Sequence, residues 1–334
     1  MKNNVVNLCF VTDKGYLMPS CVALISALKN KKFSSIYNVY ILYKDLDVQE
    51  KQIFKDLNYD RVHIELIDLA KYGNFLKYKL KNVHATPTSI YKFFIPEILP
   101  KVDKLLFLDG DIIVQDDLAE LYDTDLGDNY VAAVKDNNGI DWGINDDRYC
   151  YFNSGVMLLN LAKMRKNNTK DAMIKYRKKG LNKLMDQDTF NYVFDKSVLL
   201  LPFEYNTQTN ALSGIVQKRS GYTLETVQKY WNIQSDDPFA DAKIIHYTSI
   251  KPWKAYDGVG SPVWYQYYAI SPYKNEKLNL ESHYIADIVN STTYRFGKVF
   301  VSPWVSLKKA SLKIKDRKYY KFLLNFVMAK GDES

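Results

Sequence analysis

Short apolar runs alternate along this chain with segments of helical spacing. VVNLCFV (5–11) ends at Thr12-Asp13-Lys14-Gly15 and predicts a buried strand feeding a loop. MPSCVALISALKN (18–30) has helical spacing, with Pro19 at an early helical position. Further strands are predicted over NVYILYKDL (38–46), VHIELIDL (62–69), KLLFLDGDIIV (104–114) and YVAAVKD (130–136), with a polar helix over 47–57. SIYKFFIPEILP (89–100) reads as a helix broken near Pro96. This alternation predicts an α/β fold on a mainly parallel mixed sheet. Ligands of such folds gather at the carboxyl ends of strands. Asp13, Asp109 and Asp136 each follow an apolar strand and are expected on one rim.

No internal repeat is found, and no Gly/Ser/Pro-rich linker divides the first 265 residues. Beyond about residue 270 the pattern loosens into a basic, amphipathic tail. The expected division is one domain over 1–268 and a C-terminal extension over 269–334.

Composition changes the picture only a little. The chain has 334 residues, 47% apolar and 25% charged, as in ordinary soluble globular proteins. No uncharged apolar stretch is long enough to predict a membrane span, and the first apolar run is too short for a secretory signal. An intracellular protein is therefore expected. Cys9, Cys21 and Cys150 are read as free thiols, without a disulfide framework or a zinc site. The net charge is +8, but residues 308–334 hold eight Lys/Arg against three Asp/Glu, a net of +5. The other 307 residues thus carry only +3, which argues against a basic nucleic-acid surface.

The chemistry concentrates in LLFLDGDIIV (105–114), where Asp109 and Asp111 interrupt an apolar run. A buried strand does not deliver charge to its rim without a partner. Two carboxylates there can share one hard cation and leave coordination positions open for phosphate oxygens. Alternate side chains of a strand face opposite ways, so both reach one ion only where the strand turns out of register. Solvated turn charges are the plain alternative. A phosphatase with Asp109 as nucleophile is another, although such pairs usually open their domain and are followed by Thr or Val where Ile113 stands.

Other polar groups follow in order. Asn153 and Gly155 precede an apolar strand in CYFNSGVMLLNLAKMR (150–165). Asp186, Gln187 and Asp188 sit at an expected helix start, where capping alone would explain the carboxylates. KIIHYTSIKPWK (243–254) sends a strand into His246, one of only four histidines. Lys251 follows and suits a phosphate as a point charge.

Taken together, FVTDKGY (10–16), IYKFFIPEILP (90–100), LFLDGDIIV (106–114), AAVKD (132–136), YFNSGVMLLNL (151–161), DQDTFN (186–191) and HYTSIKPW (246–253) resemble glycosyltransferase family 8 over about 250 residues. Its members include bacterial lipopolysaccharide galactosyl- and glucosyltransferases and glycogenin. The resemblance implies a GT-A type domain and a retaining hexosyltransferase using UDP-galactose or UDP-glucose. It implies manganese, with magnesium as the alternative, held by Asp109, Asp111 and His246. Val11, Thr12, Asp13 and Tyr16 match the uridine pocket, and Lys92, Gly110 and Lys251 the nucleotide side. Asp136, Asn153, Asp186 and Gln187 match the donor-sugar positions, with Gln187 and Asp186 nearest the chemistry. Lys92 stands where the family usually has Arg, which keeps the charge but not the bidentate fork. Ser249 fills a place that is often Gly. The alternatives are the phosphatase and a UDP-sugar-binding protein without catalysis.

Lys309, Lys313, Arg317 and Lys321 recur at i+4 steps, with Leu312, Tyr319, Leu323 and Phe326 on another face. A basic amphipathic helix suits an anionic membrane surface, each nearby Lys or Arg adding about 1 kcal/mol. The expected partners are a UDP-sugar, a glycan or glycolipid acceptor, and the cytoplasmic face of a membrane.

Overall fold

A computed structural model of the chain describes residues 4–72, 87–141, 151–180, 184–255 and 258–278. The first half runs β1 (Asn4–Asp13), α1 (Leu17–Lys29), β2 (Ser35–Lys44), α2 (Val48–Lys55) and β3 (Val62–Asp68). A 3-10 turn over Pro87–Phe94 leads into α3 (Ile95–Ile98), followed by β4 (Lys104–Leu108), β5 (Ile112–Val114), α4 (Ala119–Asp123), β6 (Val131–Lys135) and α5 (Asn138–Asp141). Next come β7 (Phe152–Asn160), α6 (Leu161–Lys166), α7 (Thr169–Lys178), α8 (Gln187–Val193) and β8 (Val198–Leu201). The remainder is β9 (Thr207–Gln208), α9 (Thr209–Val216), α10 (Leu224–Trp231), β10 (Ile244–His246) and α11 (Ser261–Tyr268).

Seven strands form one sheet in the order β3-β2-β1-β4-β7-β6-β8. Among the described residues of this sheet, only β7 runs against its neighbours; the other pairings are parallel. Buried residues of β1 and β4 alternate between two apolar layers. Leu8, Phe10, Leu106 and Leu108 face α1, while Cys9, Leu105 and Phe107 pack with Phe93, Phe94 and Phe190. Burial on both faces explains why Leu8-Cys9-Phe10 of β1 and Leu105–Leu108 of β4 are unbroken apolar runs rather than alternating ones. β5, β10 and β9 form a second, three-stranded sheet.

The expected α/β architecture is present, and three details differ. The run 104–114 is two strands in different sheets, because the chain leaves the main sheet at Asp109-Gly110-Asp111. The break in 89–100 falls between Phe94 and Ile95; Pro96 sits in the first turn of α3, where its fixed φ and missing N–H are harmless. Asn153 and Gly155 lie inside β7 rather than before it.

Cys9 and Cys21 are buried free thiols, and burial pushes both upward in pKa, Cys21 to about 12. No helix among the described residues is long and apolar enough to cross a membrane. Cys150 and the basic tail lie outside the described residues.

Candidate active site

The parallel strands bring Asp13, Asp109 and Asp136 to one edge of the sheet, as their positions after apolar strands predict. The acidic pair converges because β4 hands over to β5 between its two members. Asp109 Nα still donates to the Gly155 carbonyl of β7 at 2.8 Å, whereas the Asp111 carbonyl accepts from Tyr247 beside β10 at 2.9 Å. Each carboxylate is thus anchored to a different sheet, and the strand rule that would point them apart is broken at the turn.

Asp109, Asp111 and His246 offer three ligand atoms within 4.8 Å of one another. A lysine occupies one oxygen of each carboxylate. Lys92 Nζ is 2.8 Å from Asp109 Oδ1 and 2.9 Å from Asp186 Oδ2; Lys251 Nζ is 2.5 Å from Asp111 Oδ2. The other oxygens face inward: Asp111 Oδ1 lies 3.4 Å from His246 Nε2, and Asp109 Oδ2 flanks Gly155 beside the His246 ring. Two oxygens and one imidazole nitrogen form a mixed hard set that suits manganese or magnesium better than a thiophilic metal.

Charge balance favours a cation. Three carboxylates (Asp109, Asp111, Asp186) against two ammonium groups (Lys92, Lys251) leave one net negative charge in a cluster where Asp111, Asp186 and Lys92 are buried and Asp109 and Lys251 half-buried. Burial pushes the Asp109 carboxyl up; Lys92 pulls it down, and Asp111 and Asp186 add to the rise. Burial acts on Asp111 in the same sense, but Lys251 and His246 hold it well below the usual carboxylate range. Burial alone would lower the Lys92 ammonium; Asp109 and Asp186 more than reverse this.

Gly110 and Gly155 are both dictated by contacts. A Cβ on Gly110 would come within 2.3 Å of Ser20 Oγ on α1, which itself donates to Thr12 Oγ1 at 3.1 Å. A Cβ on Gly155 would meet His246 Cε1 at 2.2 Å.

On the flank expected to receive the nucleotide, Asp13 Oδ1 accepts from the N–H groups of Gly15 and Tyr16 and shapes the loop after β1. Thr12 is buried and Val11 half-buried. Tyr16 meets Trp253 edge to face at 5.9 Å. Burial, then the negative charges of Asp111, Asp109 and Asp13, push the Tyr16 phenol upward, so its ring borders the acidic pair in neutral form.

On the other flank, Asp136 Oδ2 accepts from Asn153 Nδ2 at 2.9 Å and Oδ1 from the Asn138 N–H at 2.9 Å. Burial raises the Asp136 carboxyl, and hydrogen bonds from Asn153, Asn138 and Gln187 offset part of the rise. Gln187 Oε1 accepts from the Ser154 N–H at 3.1 Å. Asp186 stands at the cap position of α8 but makes no side-chain cap bond. Capping is therefore not its task; its carboxylate instead takes Lys92 and the Ser154 hydroxyl at 3.1 Å. Asp188 reaches Tyr151 Oη at 2.5 Å and the Leu184 N–H.

Sequence reasoning missed Ser154, which orders both Asp186 and Gln187, and Asn206, whose Oδ1 lies 3.0 Å from His246 Nδ1. The signal for Asn206 was faint. It lies 40 residues before its partner, in FEYNTQT after the VLLLP run, and is brought in by the β9–β10 pairing.

Comparisons with known proteins bear on the family and the fold. The family model described as glycosyl transferase family 8 matches residues 7–257. The glycosyltransferase GlyE of Streptococcus pneumoniae is 26% identical over 80% of this chain, which spans 62% of GlyE. A lipopolysaccharide 1,2-glucosyltransferase of Escherichia coli is 29% identical, covering 80% of this chain and 79% of its own. Among solved structures, the galactosyltransferase LgtC in complex with donor and acceptor sugar analogues superposes with a TM-score of 0.64 at 22% identity, over 80% of this chain and 96% of LgtC. Such an identity speaks for the GT-A fold. The family match covers about three quarters of the sequence and includes both sheets, the acidic turn and His246. The chain belongs to glycosyltransferase family 8.

Proposed function

We propose that this protein is a retaining, manganese-dependent hexosyltransferase. It moves galactose or glucose from a UDP-sugar to a glycan or glycolipid acceptor in bacterial surface polysaccharide synthesis. The observation that carries the reading is the convergence of Asp109, Asp111 and His246, each carboxylate keeping one oxygen turned away from its lysine. The relatives named above, a lipopolysaccharide glucosyltransferase and a galactosyltransferase, support a hexose donor.

When bound, the divalent ion supplies Lewis-acid charge for the leaving diphosphate. The remaining work falls to the chain. Tyr16 and the loop shaped by Asp13 receive the uridine. Lys251, now paired with Asp111, is close enough to that carboxylate to share its charge with an arriving phosphate. Asp136, Asn153, Asp186 and Gln187 hold the sugar hydroxyls. Two facts favour front-face transfer, in which the acceptor hydroxyl gives its proton to the departing phosphate. Gln187 is an amide whose oxygen is already engaged by Ser154, and the Asp186 carboxylate is buried under Lys92 and Ser154. Neither is a free carboxylate nucleophile of the kind a double displacement requires.

The test is hydrolysis of UDP-glucose or UDP-galactose with Mn(II), lost in Asp111→Asn. No turnover and no binding with any UDP-sugar would sink the reading. Binding of UDP and Mn(II) without transfer or hydrolysis would favour a non-catalytic binder. Phosphate release from an aryl phosphate would favour the phosphatase; family membership and the engagement of Asp109 Oδ1 by Lys92 weigh against it.

The basic tail is proposed to hold the enzyme at the inner face of the cell membrane. Removing residues from 307 onward should weaken binding to anionic liposomes and leave UDP-sugar hydrolysis intact. Unchanged liposome binding would dismiss the idea.

A further inference from the structure

The hydrogen bonds around His246 admit only one consistent assignment. The Gly155 N–H can only donate, and it points at Asn153 at 2.9 Å, so the Asn153 atom there is its oxygen. The Asn153 NH2 then faces Asp136 Oδ2, a carboxylate that accepts. Asn206 contacts the same Asn153 oxygen at 3.0 Å, so it must present its NH2 there. Its oxygen is left for His246 Nδ1 at 3.0 Å, and that nitrogen must carry a proton. In the neutral ring Nε2 is then bare, and Nε2 is the nitrogen 3.4 Å from Asp111 Oδ1. A main-chain N–H of β7 thus sets the tautomer of an imidazole on β10 through two side-chain amides. Asn206 is fully buried, and Asn153 and His246 nearly so. Each amide in the run is satisfied on both ends, and a flip of either would set like groups against each other.

We infer that Asn206 is a positioning residue that fixes the cation-binding tautomer of His246 and couples it, through Asn153, to Asp136. The inference rests on the reading of His246 as a cation ligand. Its physical basis is general: a ligating imidazole is oriented by the acceptor on its other nitrogen. In this chain the acceptor is an amide whose second end reaches the proposed sugar site. Seating of the cation and of the donor sugar therefore bias one shared network. Asn206 gains this place because the 3-10 turn Phe203–Asn206 runs straight into β9, which pairs with β10 in register Gln208 to His246.

Two measurements test it. In metal-free, 15N-histidine-labelled wild type, the long-range 1H–15N spectrum should show His246 protonated on Nδ1 with a bare Nε2; protonation on Nε2 alone would overturn the assignment. In calorimetric Mn(II) titrations, Asn206→Leu should weaken binding by about 10–100-fold. Asn206→Asp keeps an acceptor for Nδ1 but cannot donate to Asn153. It should bind Mn(II) close to wild type, yet raise the KM for UDP-sugar. Equal Mn(II) affinity in wild type and Asn206→Leu, or parallel losses of metal and donor affinity in both variants, would refute the coupling. Should Asn206→Leu fail to fold, the wild-type spectrum and the Asn206→Asp split decide. Wild type that binds no Mn(II) would sink the transferase reading and, with it, the cation half of this inference, while the nitrogen spectrum still judges the tautomer.

Discussion

Gly155→Ala is the smallest change that should disable the cation site while replacing none of its ligands. The added Cβ would sit 2.2 Å from His246 Cε1, 2.9 Å from Nδ1 and 3.0 Å from Asp109 Oδ2. Ordinary contact begins near 3.4 Å, so the imidazole must retreat by about 1.2 Å. It has little freedom to do so, because Asn206 holds Nδ1 and β10 is bonded on both sides. Asp109 is equally constrained by Lys92. Forced overpacking of this kind costs about 1–3 kcal/mol. For a domain of this size that is a fall in Tm of roughly 2–4 °C per kcal/mol. A ligand displaced by about 1 Å can cost on the order of 100-fold in rate. The expected result is a folded protein with Mn(II) affinity and UDP-sugar hydrolysis both strongly reduced, hydrolysis by about two orders of magnitude. Calorimetric Mn(II) titration beside a thermal melt separates the site effect from unfolding. Wild-type Mn(II) affinity and turnover in Gly155→Ala would show that these groups do not form the cation site.

Two further predictions concern buried carboxylates. Asp117 is buried and accepts from the N–H groups of Lys32 and Ala119 and the hydroxyls of Ser35 and Tyr37, at 2.7–3.2 Å, near the sheet edge opposite the site. Asp117→Ala should cost about 3 kcal/mol in urea unfolding by stranding these donors, with Mn(II) affinity of the folded fraction unchanged; a stability loss near zero would contradict the burial argument. Lys251→Met removes the strongest of the charges that depress Asp111. In wild type the folded pKa lies below the unfolded value, so Asp111 contributes stability above about pH 4 that is lost as pH falls through its lower folded value. In the variant only His246 still opposes burial, so the depression weakens and metal-free Lys251→Met should be the less stable protein at neutral pH. The gap should close on acidification below about pH 4; a gap that widens there would refute the assignment.

Much of the frame was legible because its signals are local. β1, β2 and β6 are largely apolar runs with polar stops, β3 alternates apolar with polar residues, and their observed ends fall within a few residues of the expected ones. The acidic pair was legible as an anomaly, since two charges in a buried run require partners. What it required of the backbone also followed: a departure from strand geometry, seen as the handover from β4 to β5. Less legible were the groups that act through long sequence separations. Lys92 was expected near the nucleotide, but its ammonium is fixed between Asp109 and Asp186. Asp186 looked like a cap because a carboxylate at a helix start satisfies backbone donors cheaply, yet a buried ammonium is a stronger partner than a peptide N–H. Asn206 has no local signature, because its task is defined by three side chains 40 or more residues away.

The one reversed strand explains why these groups meet. In a wholly parallel sheet the carboxyl rim would receive strand ends alone, here the acids Asp13, Asp109 and Asp136. Such a rim would gather negative charge with few donors to answer it. β7 runs the other way, so it enters the rim with its beginning, Phe152-Asn153-Ser154-Gly155. Its N–H groups and small side chains then face the acidic turns from between β4 and β6. Ser154 orders Gln187 and Asp186, Asn153 holds Asp136, and the bare Cα of Gly155 lets His246 close on Asp109. Slipping β7 by one residue would turn each of these side chains to the opposite face. Register between β4 and β7 is therefore as much a determinant of the site as the carboxylates. It is set by Lys104–Asn160 through Leu108–Val156, five consecutive pairs of mostly buried residues that lead up to the rim.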